Sequence, residues 1–341
     1  MLAGKQSWIF KHAPAILATG VTGGKLEGQG RLANDFDLLY DDNYLNETTL
    51  EKAHRKLLED AIAIALQKGN MSKEEVEFFF AGDLINQITP TSFAARTNGI
   101  PYVGLFGACA TSMEGLALSS FIVNYGGANH IITGASSHKA AVEKQFRYPN
   151  DYGGQKPPSA QSTVTGAGVA LVGSSMHIKQ PTHKVIAATL GKVVDMGLTD
   201  PFNMGGAMAP SAVDTIMAHH KDLGLGPNYY DAVITGDLGC IGHNVAFDLM
   251  QEKGFAIDRD RFLDCGMLIY SDDQKQEVFA GGSGAACSAT VLYGHLLNEM
   301  KKGTYKRILL VSTGALLSPL SFQQGETIPC IAHAAAIEWQ A

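Results

Sequence analysis

The stretch Gly107-Ala108-Cys109-Ala110-Thr111-Ser112-Met113-Glu114 places a thiol among small residues, where an extended apolar run gives way to a helical pattern. A cysteine in such a turn meets unpaired backbone N–H groups and the positive end of a helix dipole. Both favour thiolate, and both attract an anion or a developing oxyanion to the same spot. The flanking elements follow from periodicity. Ile100-Pro101-Tyr102-Val103-Gly104-Leu105-Phe106 reads as a short buried strand, and Met113, Leu116, Ala117, Ser120 and Phe121 recur at helical spacing. A free cysteine is most often a small buried hydrophobe. The small residues on either side of Cys109 favour a site.

The remaining composition narrows what such a site could serve. A chain of 341 residues with 45% hydrophobic content and 38 glycines can bury a large core, and its length suggests two units. The cysteines at 109, 240, 265, 287 and 330 form no C-x-x-C pair and have no histidine at zinc spacing, so neither a disulfide framework nor a structural zinc is expected. A reducing compartment fits best. The first 24 residues lack a continuous apolar core and make a poor signal peptide, and the longest apolar run, 61–66, is too short to cross a bilayer. A soluble chain is expected. With a net charge of −7 and interspersed signs, no nucleic-acid partner is expected. One segment departs from this average: residues 138–156 carry Lys139, Lys144, Arg147 and Lys156 with Phe146, Tyr148 and Tyr152. It reads either as a solvated connection or as a basic, aromatic lid over an anion.

Internal repetition sets the architecture that must position Cys109. Phe78-Phe79-Phe80-Ala81-Gly82-Asp83-Leu84 matches Ala232-Val233-Ile234-Thr235-Gly236-Asp237-Leu238, each after a helix-like run. Ile131-Ile132-Thr133-Gly134-Ala135 matches Leu310-Val311-Ser312-Thr313-Gly314-Ala315, and each follows a helical stretch opened by a Gly/Ala/Cys-rich turn. Small-residue strands at 166–172 and 332–338 close the two halves. The chain therefore reads as two copies of one α/β unit, residues 1–178 and 179–341, with the join near 177–184. Strands alternating with helices predict a largely parallel core, helices on both faces, a pseudo-two-fold axis and a site at the seam.

Duplicated α/β halves, Gly-Ala-Cys opening a central helix and Gly166-Ala167-Gly168-Val169-Ala170 closing the first half resemble the thiolase-like superfamily of thiolases and ketoacyl synthases. More specifically, residues 106–114, Ser136-Ser137-His138, Gln145-Phe146-Arg147-Tyr148-Pro149, residues 151–157, Thr199-Asp200-Pro201-Phe202 and Gly314-Ala315-Leu316-Leu317-Ser318-Pro319 resemble the stage V sporulation protein AD family of spore-forming bacteria. The superfamily resemblance implies an α/β fold of two duplicated halves with mixed sheets in a layered αβαβα arrangement. The family resemblance implies binding of dipicolinic acid and support of its uptake into the developing spore. It also implies a protein peripheral to the inner spore membrane, with the membrane subunits of the same uptake complex as partners. Homodimerisation is common in the superfamily, although no residue pattern marks an edge strand suited to it.

Condensing chemistry of the thiolase type needs a cysteine nucleophile, a proton-handling group and a second oxyanion site built from His or Asn. Where the superfamily places the histidine, this chain has Asp237-Leu238-Gly239; where it places the asparagine, Gly281-Gly282-Ser283 stands. His243-Asn244 would restore a pair only in a shifted register. Cys330 reads as a buried strand residue, and His333 as a core residue within reach of the seam. The resemblance thus implies a degenerate, non-catalytic site in which one ligand carboxylate meets the N–H groups around Cys109. Ser137, His138, Lys144, Arg147 and Ser283 are the candidates for the second carboxylate, with Gly282 and His333 lining the site. Asp237 is a candidate contact too, but its match to Asp83 argues for a structural job such as capping the next helix. No resident cofactor is expected, although calcium can travel with dipicolinate, which chelates it. Two alternatives stand beside this one: an acyl-CoA-dependent acyltransferase using Cys109, and a ligand-free subunit that docks on membrane partners.

Overall fold

A computed structural model describes residues 1–146, 157–176, 180–271, 276 and 278–340. The first half contributes β1 (Ala15–Gly23), α1 (Leu50–Lys68), β2 (Phe78–Gly82), α2 (Thr89–Asn98), β3 (Tyr102–Gly104) and α3 (Thr111–Asn124). It continues through β4 (His130–Ser137), α4 (Lys139–Phe146), β5 (Ser162–Thr163) and β6 (Gly166–Gly173). The second half adds β7 (Thr182–Leu190), α5 (Met204–Leu223), β8 (Ala232–Thr235), α6 (Gly239–Glu252), β9 (Phe262–Asp264) and α7 (Cys265–Ile269). It ends with β10 (Gly282–Ser283), α8 (Ala285–Thr290), β11 (Arg307–Ala315) and β12 (Cys330–Gln340).

The main strands run in the order β9-β8-β11-β12-β7-β1-β6-β4-β2-β3. This order is symmetric about the β7/β1 pair. The three repeated segments occupy equivalent places: β2 mirrors β8, β4 mirrors β11 and β6 mirrors β12. Pairing is parallel for β2 with β3 and β4, and for β8 with β9 and β11. It is antiparallel where β4 meets β6, β6 meets β1, β7 meets β12 and β12 meets β11. The sheet is therefore mixed, not largely parallel. Between β11 and β12 the connection holds only a short helix, Pro319–Gln323, and the chain returns antiparallel to the strand it left.

Local sequence explains the elements that frame the seam. Thr49 caps α1 by accepting from the Lys52 N–H, and Ala53, Leu57, Leu58, Ala61, Ile62 and Ala65 form its buried stripe. Helix α3 is buried around most of its circumference, and every residue of α8 is buried. These two helices lie in the interior, joined where the hydroxyls of Ser112 and Ser288 hydrogen-bond at 2.6 Å. Met113 and Leu116 of α3 are wholly buried, each worth about 1.5–3 kcal/mol of transfer free energy. The strand expected at 100–106 is shorter and less buried than its apolar content predicts. It forms the sheet edge as β3, with Val103 43% and Phe106 52% exposed.

Candidate functional site

Cys109 sits in a one-turn 3-10 segment, Ala108–Ala110, that runs directly into α3. The turn is held by the Gly107 N–H donating to Thr111 Oγ1 at 3.0 Å, by Thr111 Oγ1 donating to the Ala108 carbonyl at 2.7 Å, and by Ala110 N donating to the Gly107 carbonyl at 2.9 Å. Ala108 has φ of +50°, a left-handed conformation that costs a residue bearing a Cβ and is found where surrounding structure enforces it. Gly314 of β11 provides that enforcement from the other half. A Cβ at Gly314 would lie 2.2 Å from the Gly107 carbonyl oxygen and 3.0 and 3.2 Å from the Ala110 and Cys109 nitrogens, so only glycine lets the strand approach the turn this closely. Ser312, two residues earlier, donates to the Ala110 carbonyl at 2.8 Å.

The thiol has a partner, and it is the residue expected to cap a helix. Asp237 accepts from the Cys109 thiol, from Thr313 Oγ1 at 2.6 Å and from the Gly284 N–H at 2.9 Å. Burial pushes its carboxyl up to about 7 despite these donors. The helix-capping role inferred from the repeat is therefore wrong for Asp237. Asp83 does cap the next segment, accepting from Ile85 N, Thr91 N and Thr91 Oγ1. In the second half Asp264 takes over, accepting from Leu238 N at 2.8 Å and Gly239 N at 3.0 Å. That substitution frees Asp237 to face the seam.

A second carboxyl stands at the same turn. A Cβ at Gly107 would lie 2.9 Å from Glu114 Oε2, an atom with no hydrogen-bond partner among the described residues. Desolvation raises Glu114 to about 7. Gln161 closes the network from below, its amide N–H donating to the Asp237 carbonyl at 2.6 Å and the Gly282 carbonyl at 2.9 Å. Gly284, with φ of +99°, turns its N–H toward Asp237. Beside the turn a cavity of about 370 Å³ opens between Leu84, Ile88, Phe106, Leu317 and Pro319.

The other candidates separate. Gly282 and Ser283 lie at the seam, in β10, which pairs with β5 of the first half. Ser137 also lies there, but its hydroxyl bridges the halves by donating to the Val164 carbonyl at 2.7 Å and accepting from Ala286 N at 3.1 Å. His138 is turned away, its Nε2 donating to the Asn43 carbonyl at 2.8 Å. Lys144 is turned away as well and pairs with Glu51 of α1. His138, just before α4, faces Asn43 and the ring of His54 on α1, and Lys144 within α4 faces Glu51. His333 is buried on β12, its Nδ1 accepting from Gly191 N at 3.2 Å, and burial lowers it to about 4. His243 donates to the Phe262 carbonyl at 2.9 Å and stacks on that ring, while Asn244 takes Arg259, so the shifted register does not operate. Cys330 is a buried strand residue as expected. Of the segment 138–156, residues 139–146 form α4, and residues 147–156, Arg147 among them, lie outside the described residues.

The partners that sequence reasoning missed are Thr313, Gly314, Gln161, Gly284 and Glu114. Thr313-Gly314 lay within the repeat at 310–315, and Glu114 within the Cys109 motif. Gln161 carried no signal. Among the described residues no three His, Cys, Asp or Glu side chains are placed to hold a metal ion. Likewise, no helix among them is long and apolar enough to cross a membrane.

Comparison with known proteins places this geometry. The sequence model of stage V sporulation protein AD matches residues 4–338. The chain is 46% identical over 337 residues to stage V sporulation protein AD of Bacillus subtilis (strain 168), covering 99% of this chain and 98% of that protein. Among solved structures, 3-oxoacyl-[acyl-carrier-protein] synthase III from Aquifex aeolicus VF5 superposes with a TM-score of 0.59 at 13% identity, covering 95% of this chain and 99% of its own. Cerulenin-bound OleA from Xanthomonas campestris superposes with a TM-score of 0.59 at 15% identity, covering 97% of this chain and 98% of its own. These two likenesses establish the thiolase-like fold.

Proposed function

Because the chain belongs to the stage V sporulation protein AD family, we propose that it is a non-catalytic thiolase-like protein that binds dipicolinic acid at the Cys109 seam and supports its uptake into the developing spore. The observation that carries this reading is the pairing of Cys109 with Asp237. A condensing enzyme needs a base that accepts the thiol proton and then handles it during turnover. In its charged form Asp237 disfavours a thiolate beside it, and its two oxygens already accept from Gly284 and Thr313. The turn keeps Cys109 at the positive end of α3, where a carboxylate oxygen can occupy the position of a thioester oxygen.

The carboxyls at the site bear on how a dianion is received. Asp237 and Glu114 both sit near neutrality, so in their protonated forms they can donate to the ligand. Calcium enters only as the ligand's chelate: both oxygens of Asp237 already accept from protein donors, and so do both of Asp264. Further partners in this reading are the membrane subunits of the same uptake complex, which would hold the protein peripheral to the inner spore membrane. A second copy of the chain is another, pairing along the exposed β3 edge.

Isothermal titration of the purified chain with dipicolinate tests the reading, with saturation at one site per chain expected and no saturation up to about millimolar ligand rejecting it. Incubation with acyl-CoA followed by mass spectrometry separates the enzyme alternative. A stable acyl adduct that Cys109→Ser abolishes would establish an acyltransferase.

A further inference from the structure

The outer face of the second half carries a groove of about 840 Å³ that shares no residue with the Cys109 seam. One wall is α5, which presents Pro210, Val213, Asp214, Met217, Ala218 and Lys221. Their spacing of three and four residues defines a single helical stripe. The opposite wall is an extended segment pinned to β12 by the Val194–Cys330 bridge, from which alternate residues Lys192, Val194 and Met196 line the groove. Met196 is 62% exposed. Leu249 and Phe255 complete an apolar floor.

The rim is basic. Lys192, Lys221 and Lys253 surround a lining that holds one carboxylate, Asp214, which Lys192 engages at 2.9 Å. Asp222, beside Lys221, is turned to the N-terminal segment and accepts from Lys5 N, Gln6 N and Ser7 Oγ. His220, 2% exposed, also lines the groove. Its Nδ1 donates to the Ile216 carbonyl at 2.8 Å, which leaves Nε2 as an acceptor, and that atom has no partner among the described residues.

We propose that this groove docks an acidic amphipathic helix of a protein partner, whose apolar stripe packs on Met217, Val194 and Leu249 while flanking carboxylates meet Lys221 and Lys253. Methionines suit such a surface because their unbranched thioethers adapt to the incoming side chains. Charge and shape favour a helix over a bilayer. A chain of net charge −7 is repelled as a whole by an anionic membrane, whereas a segment seated in the groove feels charges within roughly 8 Å. The site is also concave, a shape that receives a rod and not a plane. The inference is independent of the dipicolinate reading, since no residue is common to both sites.

The test is fluorescence anisotropy with a labelled helical peptide of about 18 residues, five turns, carrying a leucine stripe flanked by Glu, against a twin with Lys in place of Glu. Saturable binding of the acidic peptide, on the order of tenfold tighter than its twin, is expected. Lys221→Glu with Lys253→Glu should invert that preference with the thermal unfolding midpoint and dipicolinate titration unchanged, and Met217→Ala should weaken binding of both peptides. Failure of the acidic peptide to saturate, or equal binding of the two peptides, overturns the proposal. So does lysine-dependent sedimentation with phosphatidylglycerol vesicles in the absence of peptide binding.

Discussion

The thiol of Cys109 donates to the carboxylate of Asp237, a residue that enters the seam from the opposite half of the duplicated fold. The same carboxylate gathers Thr313 and Gly284, so three segments of the second half converge on a turn in the first. The sulfur thereby faces a carboxyl that burial raises to about 7.

Dipicolinate should bind more tightly at pH 6 than at pH 8. Burial raises Asp237 and Glu114 to about 7 each, above their free values, so the fold favours their protonated forms. That contribution is complete below the free carboxylate range and is lost as pH rises through about 7. Above neutrality both groups carry charge that repels the dianion. Each group coupled to binding should change affinity by up to about tenfold over this interval, and Asp237→Asn should flatten the profile measured by titration calorimetry.

Removing the Asp237 charge should make Cys109 more reactive. With Asp237→Asn the shape is kept while the negative charge opposing thiolate formation is lost. Alkylation of Cys109 by iodoacetamide, followed by peptide mass spectrometry, should accelerate several-fold, and stability should fall by about 1–3 kcal/mol as buried hydrogen bonds are disturbed. An unchanged alkylation rate would remove the electrostatic role assigned to the pair.

Gly314→Ala should damage the turn from across the seam. The added Cβ would meet the Gly107 carbonyl at 2.2 Å, and backbone atoms cannot yield cheaply. A loss of about 1–3 kcal/mol in denaturant unfolding is expected, together with loss of dipicolinate binding, because the displaced turn carries Cys109 at the head of α3.

Ser137 and Lys144 should part company under mutation. Ser137→Ala leaves Val164 O and Ala286 N without their bridging hydroxyl inside the core, at a cost of about 1–3 kcal/mol. Lys144→Ala removes only a half-exposed pair with Glu51, within about 0–1 kcal/mol. Dipicolinate affinity should be unchanged by Lys144→Ala, and a clear loss would return that lysine to the site.

Much of the fold was legible in the residues because duplication prints each structural solution twice. The small-Gly-Asp-Leu strands, the Thr-Gly-Ala strands and the closing small-residue strands take equivalent positions in the mirrored sheet. The turn at Cys109 and the burial of α3 follow from local composition and spacing alone. Strand direction was less legible, since pairing sense depends on the path of connections and not on the strands themselves.

What the sequence alone determined, then, is the duplicated scaffold and the thiol at the head of its central helix, because periodicity and small-residue turns act locally. What only the tertiary structure decided is the thiol's partner. Asp83 and Asp237 are equivalent in the repeat, yet one caps its helix while the other crosses to Cys109, because Asp264 supplies the second half's cap. Tertiary structure likewise turned His138 and Lys144 toward α1 and brought Gln161 and Thr313 inward. The partners of Asp237 lie far apart along the chain, and no local pattern encodes which of two equivalent carboxylates the packing leaves free to turn toward the sulfur.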